Sequence, residues 1–220
     1  MYVTIGYDQL ATPAGLDRGG AVDRFDDIRA AALDLFTGRG FHATTMADIG
    51  AAVGMRGPSL YKHVESKQDL LARIMTTTME ALLAGYRTAV ASSDDPAQRL
   101  RRATEAHVRY HARHRLEAFV GNREIRSLVE PHRARVLTLR AEYEHGFRDL
   151  VADGVAEGVF HVDSARLASY AVLDLGMGVS AWYREDGELT EDAVVWQYST
   201  FALRLVGHRG QERLSRPSPA

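Results

Sequence analysis

Cysteine is absent from the 220 residues, and lysine nearly so: Lys62 and Lys67 are the only two lysines among 27 basic side chains. Without cysteine there is no disulfide, no thiolate zinc site and no cysteine nucleophile, which suits a reducing compartment. No apolar run approaches the ~20 residues that a membrane span needs. No basic n-region precedes an apolar core near the N-terminus, so no signal peptide is expected and the expected location is the cytoplasm. Excess charge is missing as well. A net charge of −2 rules out a molecule that is basic all over, and any nucleic-acid site has to be a local patch. Period-two alternation and internal repeats are also absent. What remains, with 45% hydrophobic and 25% charged residues, is an ordinary globular composition.

Nearly everything between the ends has helical period, so the expected fold class is all-α. Ile28, Ala31, Ala32, Leu35 and Phe36 form one apolar stripe of a helix over about 23–37, stopped by Gly38 and Gly40. Asp23, Asp26 and Asp27 fall in its first turn, where carboxylates favour the positive end of the helix dipole. Thr45 predicts an N-cap, with Asp48 completing a capping box and Gly54 ending that short helix. A third helix is expected to start at Gly57-Pro58, and Ser66 to cap a long fourth one. Ser164 and Thr190 are the predicted caps of the last two helices. Residues 1–21 read as a flexible arm and 209–220 as a frayed tail.

Two short helices joined by Gly54-Met55-Arg56 fit a helix-turn-helix, whose second helix enters the DNA major groove. Ser59, Tyr61, Lys62 and His63 supply hydroxyl, ammonium and imidazole groups, with Leu60 as the apolar anchor. Lysine suits phosphate as a flexible point charge, whereas base discrimination favours a planar fork, for which Arg56 is the candidate. Charge is no guide here, because acidic side chains match the basic ones over 22–82. An ordinary helical hairpin with solvated charges fits the same pattern.

The stretch FTGRGFHATTMADIGAAVGMRGPSLYKHVESKQDLL carries more. Phe36, Gly40, Phe41, Thr44, Thr45, Ile49, Ala52, Gly54, Leu60, Tyr61, His63, Lys67 and Leu70 resemble the DNA-binding domain of the TetR family of bacterial transcriptional regulators. The resemblance covers about 22–82, with the helix-turn-helix at 45–64. Val64 stands where phenylalanine is usual, and Met55-Arg56 replaces a Val-Ser type turn. The resemblance implies that Thr45, Tyr61 and Lys67 hold phosphates of double-stranded operator DNA. The full candidate DNA-binding set is Thr44, Thr45, Arg56, Gly57, Pro58, Ser59, Tyr61, Lys62, His63 and Lys67.

Other motifs carry less. GRGFHA (38–43) and GMGVSA (176–181) match a dinucleotide fingerprint, but neither follows a strand. His107, His111 and His114 share a helical face that would suit a metal. No carboxylate stands between the first two, and Arg109, Arg113 and Arg115 would repel a cation, so the face reads as polar surface or pocket wall. With no nucleophile elbow either, neither a catalytic residue, a metal nor a cofactor is expected.

A DNA reader needs only ~60 residues, yet a helical unit over 83–208 follows it. Most of that unit is similar to TetR-type regulators of fatty-acid and steroid degradation, on Arg123 to Arg126, Arg140 to Phe147, Gly158 to Phe160 and Met177 to Arg184. That similarity implies an acyl-CoA effector. The candidate ligand-binding residues are Tyr110, Arg123, Arg126, Tyr143, Phe147, Met177, Trp182 and Arg184, which combine apolar walls with guanidinium groups for phosphate. Homodimerisation is expected through the last two helices, by Leu167, Tyr170, Leu173, Val194, Val195, Tyr198 and Leu205. The function this implies is a ligand-responsive transcriptional regulator, a repressor released from a palindromic operator. A constitutive or architectural DNA-binding dimer without an effector is the alternative.

Overall fold

The computed structural model describes residues 24–209, which are mostly helical with no strand among them. The arm at 1–21, Asp23 and the tail from 210 lie outside the described residues. The helices in chain order are α1 (Arg24–Arg39), α2 (Met46–Ala52), α3 (Gly57–Leu60), α4 (Lys67–Val90), α5 (Pro96–Arg113), α6 (Arg115–Glu124), α7 (His132–Ala156), α8 (Ala165–Trp182) and α9 (Glu191–Leu205). A 3₁₀ turn at Ile125–Ser127 separates α6 from α7.

The helix starts follow local chemistry. Thr45 accepts from the Asp48 N–H at 3.1 Å while the Asp48 carboxylate accepts from the Thr45 N–H at 2.8 Å, so the capping box is complete. Ser66, Ser164 and Thr190 accept from Asp69, Leu167 and Ala193 in the same way. Asp95 caps α5 ahead of Pro96. In α1, Ile28, Ala32 and Phe36 are buried as their spacing predicts, but Leu33 is the fourth core residue. Ala31 and Leu35 sit half-buried on its flanks.

The core has two large parts and one small one. Residues of α1 to α3 and of the first half of α4 form the first, and Val120 of α6 with Leu128 and Val136 belongs to it. The second joins the rest of α4 to α5, α7, α8 and α9 around Leu100, Phe147 and Val172. A smaller cluster of Val108, Val179, Tyr183, Val194 and Val195 closes the far end. Residues 82 and 83 both fall inside α4, so one helix is common to the two units.

Helix α5 is central, packed on α4, α7, α8 and α9. Arg113 forks onto the Glu191 carboxylate with two 2.7 Å bonds, and Arg109 reaches both Glu191 and Asp192. These bonds hold the Glu191 carboxyl below its ordinary pKa and tie the start of α9 to the end of α5. No described helix is long and apolar enough to cross a membrane.

Candidate functional site

At the first pole, α2 and α3 enclose a tight turn. Gly54 takes φ +65°, and the Met55 N–H donates to the Gly50 carbonyl at 2.8 Å. Gly50 has no room for a side chain, because a Cβ there would lie 2.9 Å from the Met55 carbonyl oxygen. Leu60 and Val64, each 1% exposed, pin α3 to the core, so the smaller valine fills the place of the usual phenylalanine. The opposite side of α3 is open: Arg56, Gly57, Pro58, Ser59, Tyr61 and Lys62 are exposed together, with Thr45 exposed at the start of α2 and His63 half-buried. These groups form one exposed polar surface at this end of the molecule.

Two of the candidate DNA contacts make side-chain bonds within the chain. Thr44 is fully buried, and its hydroxyl donates to the carbonyls of Gly40 at 3.0 Å and Leu35 at 3.3 Å. Those bonds stitch the end of α1 to the turn, and no DNA atom can reach them. Lys67 is half-buried, with Nζ donating to the carbonyls of Phe41 at 2.7 Å, Thr44 at 2.5 Å and, at the limit, His42 at 3.5 Å. Its ammonium also lies 4.4 Å from the centre of the Phe41 ring. The ammonium therefore faces the α1–α2 turn. Lys67 is thus bonded to the turn that leads into α2, at the position where the resemblance implied a phosphate contact.

Farther along, α4 to α8 surround a cavity of about 430 Å³. Thr78, Met79 and Leu82 face it from α4, Leu173 and Met177 from α8, and Tyr143 from α7. Two histidines on α5 close the interior. His107 is 2% exposed, with Nε2 3.0 Å from the Leu173 carbonyl and Nδ1 3.1 Å from the Tyr143 hydroxyl. That pairing makes Nε2 the donor and Nδ1 the acceptor, and burial pushes the His107 pKa down to about 4, so the ring is neutral. His111, 4% exposed and edge-on to His107, is pushed still lower by burial and by its histidine neighbours. A Cβ on residue 176 would lie 2.1 Å from the His107 ring, so Gly176 in GMGVSA is a seat for that imidazole and not a phosphate loop.

Among the predicted ligand residues, Tyr143 and Met177 line the cavity. Phe147 is fully buried in the core behind it, and Tyr110 stands beside it with its ring 4.3 Å from that of His114. Arg123 is exposed and stacked on Phe119, and Arg126 is exposed in the 3₁₀ turn. Trp182 and Arg184 do not line the cavity. Trp182 follows Met177 by five residues, about 140° round the helix, and packs on Tyr198 and Tyr183 in the far cluster. The similarity pointed to α8, but only the packing shows which of its faces meets the cavity.

Sequence reasoning missed Arg140 and Glu117. Arg140 of α7 lines the cavity half-buried, donates to the Gly121 carbonyl at 2.7 Å, and is held below its ordinary pKa by burial. Among the described residues, no carboxylate lies within ion-pair distance of it. It occurs within the Arg140–Phe147 stretch noted above, which is the only signal that could have marked it. Glu117 of α6 lines the cavity and accepts from Arg29 of α1 at 2.8 Å. Burial works against its charge, yet the hydrogen bond with His114 and the Arg29 charge prevail and lower its pKa. On the same helix, Glu124 accepts from the Phe41 N–H at 3.3 Å, and Gln68 of α4 exchanges bonds with Ser127 and Val129 just beyond. Thus α6 is a cavity wall on one side and part of the reading head on the other.

Comparison with known proteins agrees with both poles. The family model described as bacterial regulatory proteins of the tetR family matches residues 28–74, and that of the tetracyclin repressor-like C-terminal domain matches residues 93–206. The HTH-type transcriptional repressor KstR2 of Rhodococcus jostii is 30% identical over 197 residues, covering 88% of this chain and 96% of that protein. The structure of the ketosteroid transcriptional regulator KstR2 of Mycobacterium tuberculosis superposes with a TM-score of 0.78 at 26% identity, covering 88% of this chain and 98% of that one. AibR, solved in complex with isovaleryl coenzyme A and operator DNA, shares the fold at a TM-score of 0.73 and 22% identity, over 84% of this chain and all of that one. With an exposed helix-turn-helix surface at one end and both family models matched along its length, this chain belongs to the TetR family of bacterial transcriptional regulators, DNA-binding proteins and not enzymes.

Proposed function

We propose that the chain is a repressor that leaves a palindromic operator when an acyl-CoA enters the α4–α8 cavity. One observation carries this reading: the α6 wall of the cavity is bonded to the DNA-reading head through Arg29–Glu117 and Phe41–Glu124. A ligand that displaces α6 from the inside acts directly on α1 and on the turn before α2. Effector and operator then favour different conformers, so each weakens the other by the same factor. The similar KstR2 proteins are repressors by name, and AibR was crystallised with a coenzyme A thioester.

The cavity suits the acyl end of such a ligand. Its volume takes an acyl body but not the whole of coenzyme A, whose nucleotide stays at the mouth. Arg140, with no carboxylate partner among the described residues, is the anchor for an anionic group. Arg126, exposed on the turn after the cavity-lining Asn122, is available to the phosphates. Two copies would meet through α8 and α9, where Leu167 is 67%, Phe201 40% and Tyr170 38% exposed. Of the other apolar groups expected there, Val194 and Val195 are buried within the chain, and Leu173, Tyr198 and Leu205 pack on its own clusters.

The test is an operator shift assay repeated across a panel of acyl-CoAs, with wild type and Arg140→Met. Wild type should release DNA with at least one of them, and the variant should bind operator normally but need more acyl-CoA. If no acyl-CoA changes operator affinity in either direction, the effector class is wrong and the constitutive dimer takes its place. Tighter binding on addition would keep the class and make the chain a co-repressed regulator.

A further inference from the structure

The two buried histidines of the cavity differ in one respect. Both ring nitrogens of His107 are satisfied, by Tyr143 and Leu173. His111 makes only ring contacts: Nδ1 is sealed from solvent and has no hydrogen-bond partner. A sealed imidazole nitrogen without a partner is best left as a bare lone pair, because a buried N–H without an acceptor loses more. The proton of the neutral ring therefore belongs on Nε2. With Nδ1 sealed and His111 lining the cavity, Nε2 is the nitrogen left to face the ligand space.

We infer that His111 Nε2–H is a donor for a carbonyl oxygen on the part of the effector that enters the cavity, and that this oxygen selects the ligand. The inference takes the cavity as the effector site proposed above. In the empty protein, cavity water can meet the donor. A purely hydrocarbon body would expel that water and leave the N–H unpaired, at a cost comparable to a lost hydrogen bond. A site with a fixed donor thus discriminates against the analogue that lacks the acceptor far more sharply than an apolar wall does. Met79, Leu82, Leu173 and Met177 provide the apolar surroundings that make the single donor selective.

The experiment uses the full-length protein and small probes without coenzyme A, so that it stands apart from the acyl-CoA test. Nitrogen-15 NMR of the imidazoles in ligand-free wild type should show His111 protonated on Nε2 with Nδ1 bare; a proton on Nδ1 overturns the assignment. Cyclohexanone and methylcyclohexane are then titrated into wild type, His111→Leu and His111→Gln. Cyclohexanone should shift the His111 Nε2 resonance and lose on the order of fivefold in affinity in the leucine variant, as for one net hydrogen bond. The glutamine variant should restore most of that loss, while methylcyclohexane should bind the leucine variant at least as well as wild type. S-methyl cyclohexanethiocarboxylate in place of the ketone shows whether a thioester oxygen also serves. Equal losses for ketone and hydrocarbon, no loss for either carbonyl probe, or no binding of any probe to wild type would overturn the proposal.

Discussion

Lys67→Met separates two roles that a TetR-type lysine at this position can play. Methionine keeps most of the stem and its contact with the Phe41 ring but removes the ammonium that binds the Phe41 and Thr44 carbonyls at 2.7 and 2.5 Å. A hydrogen bond to a charged group is worth about 1.5–3 kcal/mol, and water can replace part of it at a half-exposed site. The loss should therefore total about 2 kcal/mol, not twice the upper figure. For a chain of this size each kcal/mol moves the melting temperature by about 2–4 °C, so a fall of roughly 4–8 °C is expected in a thermal scan. Operator binding should weaken as well, because the turn that presents Thr45 is loosened. Its salt dependence should hardly change, since no phosphate contact is lost. A lysine that served only as a phosphate ligand would show the reverse: an unchanged melting temperature and a log K against log salt slope reduced by about 1. That result would refute the clamp.

On the exposed surface, Tyr61→Ala and Lys62→Ala should weaken binding to operator and random DNA alike, whereas Arg56→Ala or Ser59→Ala should alter preference among operator variants in a competition assay. If all four act equally on every sequence, α3 is not the base reader. Leu167→Asp or Phe201→Asp should split the dimer in sedimentation at micromolar concentration, because each charge appears on both copies of the interface. Leu205→Asp should instead lower the melting temperature, since Leu205 packs on the chain's own core. Stability should fall as pH drops from about 6.5 towards 4. The unfolded chain takes up protons at ordinary histidine values, while buried His107 refuses one until about 4, so the unfolded state gains protons first. The His107 contribution is present above pH 6.5 and lost on acidification. A urea midpoint that does not move between pH 7 and pH 5, or one that moves equally in His107→Asn, would contradict the assigned burial.

The sequence by itself determined what depends on neighbours within a turn or two. Thr45 with Asp48, Ser66, Ser164 and Thr190 were legible as caps, because a capping hydroxyl meets an N–H only three residues away. The helix-turn-helix was legible through the family spacing from Phe36 to Leu70, because two short amphipathic helices around Gly54 would by themselves fit an ordinary helical hairpin as well. The roles of Thr44 and Lys67 were not legible, although both positions were singled out. Lys67 finds its carbonyls 23 to 26 residues earlier, where only the docking of α4 on the α1–α2 turn brings them within reach. The cavity is a more extreme case, since its wall takes side chains from five helices, and α8 is apolar on more than one face. Hydrophobicity alone cannot choose between Met177 and Trp182 on such a helix, but packing can, once Gly176 seats the His107 ring and turns that face of α8 towards α5. The double attachment of α6, to cavity and reading head, is likewise a product of tertiary structure, because it rests on ion pairs and hydrogen bonds between residues more than eighty positions apart.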